Sequence, residues 1–86
     1  FNANIWLNWS FVYHEQGNTE KALNIIEEGL EELPDEPSLL YRQIAYLMSM
    51  GSYKEAFNRL EIALALHYDQ HILLYDFFDD LEIQKA

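Results

Sequence analysis

The sequence predicts an all-α fold, an α-solenoid of antiparallel helix hairpins with five helices. Three observations predict it. Apolar residues recur at the 3-4 spacing of a helix face in five consecutive segments. The few Gly and Pro residues sit between those segments rather than inside them. The chain also resembles itself after a shift of 34 residues.

The first segment carries Ile5, Trp6, Trp9, Val12 and Tyr13, and Gly17-Asn18 ends it. The second carries Ala22, Leu23, Ile26, Leu30 and Leu33, and the run Leu33-Pro34-Asp35-Glu36-Pro37 ends it. The third has Leu40, Ile44 and Leu47 before Gly51-Ser52. The fourth has Ala56, Leu60, Ala63 and Leu64 before Asp69-Gln70, and the fifth has Leu74, Phe77, Phe78 and Leu81. Asn18, Ser52 and Asp69 suit N-caps, Ser52 with Glu55 spells a capping box, and Pro37 suits a first helical turn. Helices of roughly 12 to 16 residues follow, with links short enough to enforce hairpins. No alternating pattern suggests a strand.

The 34-residue shift superimposes Gly17 on Gly51, Ala22 on Ala56, Asn24 on Asn58, Glu27 on Glu61, Leu30 on Leu64 and Asp35 on Asp69. Gly29 falls on Ala63, small on small. A further shift puts Leu39-Leu40-Tyr41 on Leu73-Leu74-Tyr75 and Leu47 on Leu81. One hairpin is written twice and its first half a third time. The expected organisation is one domain over 1–86, with repeats at 3–36 and 37–70 and a half repeat at 71–86. Ser10, Ala22, Gly29, Ala56 and Ala63 are the small residues expected where helices approach closely. Gly29 costs about 1 kcal/mol against Ala inside a helix, so close packing is its expected reason.

Composition narrows the function. A net charge of −10 repels phosphate backbones and anionic lipid headgroups, so no nucleic acid and no membrane is expected as partner. Basic partners are favoured by steering. Cysteine is absent, which removes disulfides and thiolate chemistry. No apolar run approaches the roughly 18 residues of a membrane span. The chain opens on Phe1 rather than Met, which reads as an excised fragment, of a longer repeat protein, or as a processed product.

Catalytic and metal chemistry find little support. His67 and His71 have a zinc-ligand spacing, but Asp69 between them reads as a helix break, and no third ligand is apparent. Asp76, Asp79, Asp80 and Glu82, like Glu27, Glu28, Glu31 and Glu32, read as solvated helix faces. There is no nucleophile-base motif, phosphate loop or cofactor fingerprint, so no enzyme activity, metal or cofactor is expected.

A 34-residue period with two helices per unit resembles the tetratricopeptide repeat (TPR). The first unit offers Trp6, Trp9-Ser10, Tyr13, Ala22, Ile26 and Pro34; the second offers Leu40, Gln43-Ile44, Leu47, Ala56, Leu60 and Tyr68. Gln43 and Ile44 depart from the family's Leu-Gly. The resemblance implies a scaffold that binds a protein or peptide on its concave face, lined by the first helix of each hairpin. That face is expected to comprise Asn4, Leu7, Asn8, Phe11 and His14, then Ser38, Tyr41, Arg42, Ala45 and Met48, then Tyr75, Asp76 and Asp79. His14 also reads as a charge partner for its own helix end.

Asn8 matches the Asn of the carboxylate clamp found in some family members. Asn4 stands where a Lys is expected, and Asp76 and Asp79 where Lys or Arg would be. The clamp is therefore expected to be absent, and a ligand with a basic group is preferred. The alternative is a structural segment that packs on further repeats or on itself. The two readings part at Tyr41, Arg42 and Tyr75, which a binding wall exposes and a structural segment can bury. Phe77, Phe78 and Ile83 should leave apolar surface open, covered either by chain beyond Ala86 or by a homodimer through the C-terminal helix. The family's habit is cytoplasmic, and zero cysteines fit a periplasmic site equally.

Overall fold

The computed structural model describes residues 2–67 of the chain. They form four α-helices, and no strand occurs among the described residues: α1 (Ala3–Glu15), α2 (Thr19–Glu32), α3 (Pro37–Ser49) and α4 (Tyr53–His67). The fifth predicted helix, and the half repeat it forms, lie outside the described residues.

α1, α2 and α3 begin where a side chain takes an orphan backbone N–H. Asn2 Oδ1 accepts from the Asn4 amide at 2.8 Å, and Asn18 Oδ1 from the Lys21 amide at 3.2 Å. Pro37 opens α3, where its missing N–H costs nothing. The cap before it is Glu36, whose carboxylate accepts from the Ser38 amide at 3.4 Å and from the Ser38 hydroxyl at 3.0 Å.

α1 and α3 end in the same turn. Gly17 and Gly51 have φ of 85° and 79°, a conformation that only glycine adopts without strain. The Gly17 amide donates to the His14 carbonyl at 3.0 Å and the Asn18 amide to the Tyr13 carbonyl at 2.9 Å. Gly51 to Met48 and Ser52 to Leu47 repeat those bonds at 3.0 and 2.9 Å. This is the Schellman closure, and it recurs at the 34-residue offset of the sequence.

The turns fold the helices into two hairpins. A Cβ built on Gly29, late in α2, would lie 2.7 Å from Cγ of Trp6, early in α1. The two helices therefore run antiparallel, and they touch where no side chain fits. Gly29 serves the close approach that its place in a helix interior implied. Ser10, Ala22, Ala56 and Ala63, the other small residues assigned to helix contacts, are fully buried.

α2 also packs on α3, and α3 on α4. One buried cluster joins Leu23 and Ile26 of α2 to Leu39, Ile44, Tyr46 and Leu47 of α3 and to Ala56 and Ala63 of α4. Trp6, Tyr13, Leu30 and Leu40 close it from the side. Among the described residues, no helix is long and apolar enough to cross a membrane.

Candidate functional site: the wall of α1 and α3

α3 lies beside α1 and runs in the same sense. Arg42 sits over the ring of Phe11, and one turn further on Tyr46 meets the ring of His14. Residues spaced by three and four on both helices therefore share one wall.

The sequence-predicted wall residues divide into three groups. Asn4, Asn8 and Phe11 are exposed, and Leu7, His14, Ser38, Arg42 and Met48 are half-buried. Tyr41 is 1% exposed and Ala45 0%, so neither presents a surface to a partner. That corrects the expectation that both line an open groove. A repeat alignment identifies which helix face a position occupies, but not whether that face is covered. Tyr75, Asp76 and Asp79 lie outside the described residues, as do Phe77, Phe78 and Ile83.

The wall is organised around a residue the sequence did not single out. Tyr46 is fully buried. The Ser10 hydroxyl donates to the Leu7 carbonyl at 3.0 Å, which spends its one proton. Its oxygen then accepts from the Tyr46 hydroxyl, 3.0 Å away. Arg42 Nη1 donates to the Tyr46 oxygen at 3.4 Å. A relay of donors thus runs from Arg42 in α3 through Tyr46 to α1. A buried hydroxyl left without partners costs about 1–3 kcal/mol, so this relay fixes how α3 seats on α1. The spacing of Arg42 and Tyr46, four apart on one helix, was the available signal.

Arg42 also has stacking roles. Its guanidinium carbon lies 5.9 Å from the Phe11 ring centre and 5.7 Å from that of Tyr46. Phe11 and Tyr46 hold the guanidinium between two π-faces. His14 completes the cluster, 5.1 Å from Tyr46 and 6.1 Å from Phe11 between ring centres. Its Nδ1 shares a hydrogen bond of 2.9 Å with the Thr19 hydroxyl at the start of α2. Burial lowers the His14 pKa from 6.5; Glu15 opposes this, and the Arg42 charge adds to it. The imidazole is therefore neutral at pH 7. That argues against His14 as a charge partner of the α1 terminus and for a packing and hydrogen-bonding role.

Ser10 has its proton committed and no exposed surface. Among the described residues no group of His, Cys, Asp or Glu could hold a metal ion. His67 ends α4, and His71, its suggested zinc partner, lies outside the described residues. A hollow lined by Glu27, Leu30, Glu31, Leu40, Gln43, Arg59 and Ile62 shares none of the wall's residues. Compared with protein-family models, curated proteins and solved structures, the chain matches none.

Proposed function

We propose that the chain is a non-catalytic protein- or peptide-binding scaffold, a TPR-like stack of hairpins without a carboxylate clamp. The observation that carries this is the recurrence of one turn, with the same hydrogen bonds, at Gly17 and Gly51. Repeated hairpins that bury each other's apolar sides leave one helix of each pair to form an inner wall. The accessible wall is Asn4, Leu7, Asn8, Phe11 and His14 of α1 with Ser38, Arg42 and Met48 of α3. Phe11 with Arg42 is its anchor, since aromatic and Arg side chains concentrate binding energy. The net charge of −10 favours a partner with a basic group over nucleic acid or an anionic membrane. A cytoplasmic setting accords with the repeat family's habit.

Affinity capture tests the wall, comparing the wild-type chain with Asn8→Ala/Phe11→Ala. Both residues are exposed, so the fold should survive. Partners held by the wild type and lost by the variant support the wall; an identical set of partners rejects it. The alternative, a structural segment that packs on other repeats or on a second copy, gains from the burial of Tyr41 and Ala45. Its sign would be partner capture indifferent to Phe11.

A further inference from the structure

Gln43 is the residue of α3 that packing explains least. It stands where the repeat pattern carries Leu, and it is 6% exposed. Its side chain makes no hydrogen bond to another described residue. Its amide atoms are not sealed either: among the described residues, Trp6 Nε1 is the one side-chain N or O atom both buried and unpartnered. The Gln43 amide therefore opens onto free space, and Gln43 lines the hollow between α2, α3 and α4. A buried amide without partners is costly, and an apolar residue here would avoid that cost. The amide calls for a partner from within the hollow.

The hollow holds about 360 Å³, at the small end of the range for ligand sites. Leu30, Leu40 and Ile62 give it an aliphatic lining. Glu27 and Glu31, one turn apart on α2, line the same space, and neither has an ion-pair partner among the described residues. Glu28 and Glu32 do not line it and keep their reading as a solvated face. Arg59 lines it from α4 and lies 4.0 Å from Glu55, which offsets part of its charge within its own helix. The hollow thus combines two carboxylates without a counter-ion, one unpaired amide and an apolar surface.

We propose that this hollow binds a guanidinium group on an aliphatic stem, the side chain of arginine. A guanidinium carries five N–H donors in one plane and no acceptor. Glu27, Glu31 and the Gln43 Oε1 supply acceptors, and a planar fork suits carboxylates better than a compact ammonium does. The hydrocarbon stem covers Leu30, Leu40 and Ile62, as long basic side chains cover apolar surface elsewhere. An anionic ligand would meet two like charges, and a purely apolar one would leave the Gln43 amide unpaired. The guanidinium can come from free arginine or from an arginine of a partner protein. The two differ in the free α-carboxylate, for which Arg59 is the receiving group. None of the wall residues of α1 and α3 lines the hollow, so the capture experiment and the following one fail separately.

Titration of the full chain with L-arginine, followed by amide correlation NMR spectra, tests this. The Gln43 side-chain amide and the backbone amides of Glu31 and Arg59 should shift and saturate, while those of Asn8 and Phe11 stay in place. L-citrulline replaces the guanidinium with a neutral urea of the same shape and should bind at least about tenfold more weakly. Gln43→Met keeps the bulk of the side chain and removes its amide. It should unfold at higher urea than the wild type and bind arginine about tenfold more weakly. Glu27→Gln/Glu31→Gln should abolish saturation. N-acetyl-L-arginine amide separates the two sources: binding as tight as that of arginine assigns the hollow to a partner's side chain, and weaker binding assigns it to the free amino acid. The proposal is overturned if neither compound gives saturable shifts, if the shifts fall on the wall of α1 and α3, or if citrulline binds equally. It is also overturned if Gln43→Met binds like the wild type or destabilises the chain, since the amide would then have its partner inside the fold.

Discussion

Replacing Gly29 with Ala puts two opposed effects on one atom. In a helix interior the substitution gains about 1 kcal/mol from backbone propensity. Here the added Cβ would lie 2.7 Å from Trp6 Cγ, 3.0 Å from Cδ2 and 3.1 Å from Cβ. Carbon atoms pack at about 3.5–4.0 Å, so the overlap approaches 1 Å. The crowded atoms belong to the stem of Trp6 and the near edge of its ring. They cannot withdraw by rotating a distal torsion, and relief requires α1 to move off α2.

Overpacking of this kind costs about 1–3 kcal/mol, and a rigid stem places it in the upper half. The net loss for Gly29→Ala is then about 1–2 kcal/mol. For a domain this small that lowers Tm by roughly 4–8 °C per kcal/mol. The second hairpin carries Leu40 and Ala63 at the places of Trp6 and Gly29. Trp6→Leu alone should lose about 1–3 kcal/mol through the emptied volume. In that background Gly29→Ala should stabilise by about 1 kcal/mol, giving a coupling of about 2–3 kcal/mol between the two sites. Urea denaturation of the four chains measures this cycle. A Gly29→Ala chain as stabilised with Trp6 present as with Leu in its place would refute the close contact between α1 and α2.

Three further outcomes follow from the same geometry. Gly17→Ala and Gly51→Ala should each cost about 1–2 kcal/mol in thermal unfolding, and by similar amounts, because both adopt positive φ in the same closure. Tyr46→Phe should lose about 0.5–1.5 kcal/mol, and Ser10→Ala should cost less in that background than in the wild type; additive losses in the cycle would contradict the hydroxyl relay. The folded-state pKa of His14 lies below its unfolded value of 6.5, so protonation favours the unfolded chain. Its contribution is complete above pH 6.5 and is lost as the pH falls through 6.5 toward the folded value. His14→Gln should flatten that part of the stability profile, and an identical pH slope in wild type and variant would show that His14 is not desolvated.

Most of the fold was legible because the decisive signals are local. Gly17-Asn18 and Gly51-Ser52 mark turns through a backbone angle that other residues avoid, and a 34-residue spacing makes them one signal seen twice. Gly29 was legible by its misfit, a costly residue in a helix that needed a packing reason. The wall was only partly legible. Helical spacing placed Phe11, His14 and Arg42 on one face correctly, but exposure depends on what else lies against that face. Tyr41 and Ala45 have the right spacing and no access. Tyr46 has Arg42 one turn away on its own helix, but its partners on α1, Ser10 and His14, lie a hairpin away in sequence, where helical spacing gives no sign of them.

The stacking of one hairpin on the next can be observed directly in solution through proton–proton contacts to the Tyr46 ring. The account predicts cross-relaxation from that ring to the Ser10 β-protons and to the His14 imidazole, 36 and 32 residues earlier in the chain, alongside contacts from Trp6 to the Gly29 α-protons. A spectrum with the Trp6–Gly29 contacts present and Tyr46 in touch with α3 and α4 alone would contradict it, leaving two hairpins that fold without stacking.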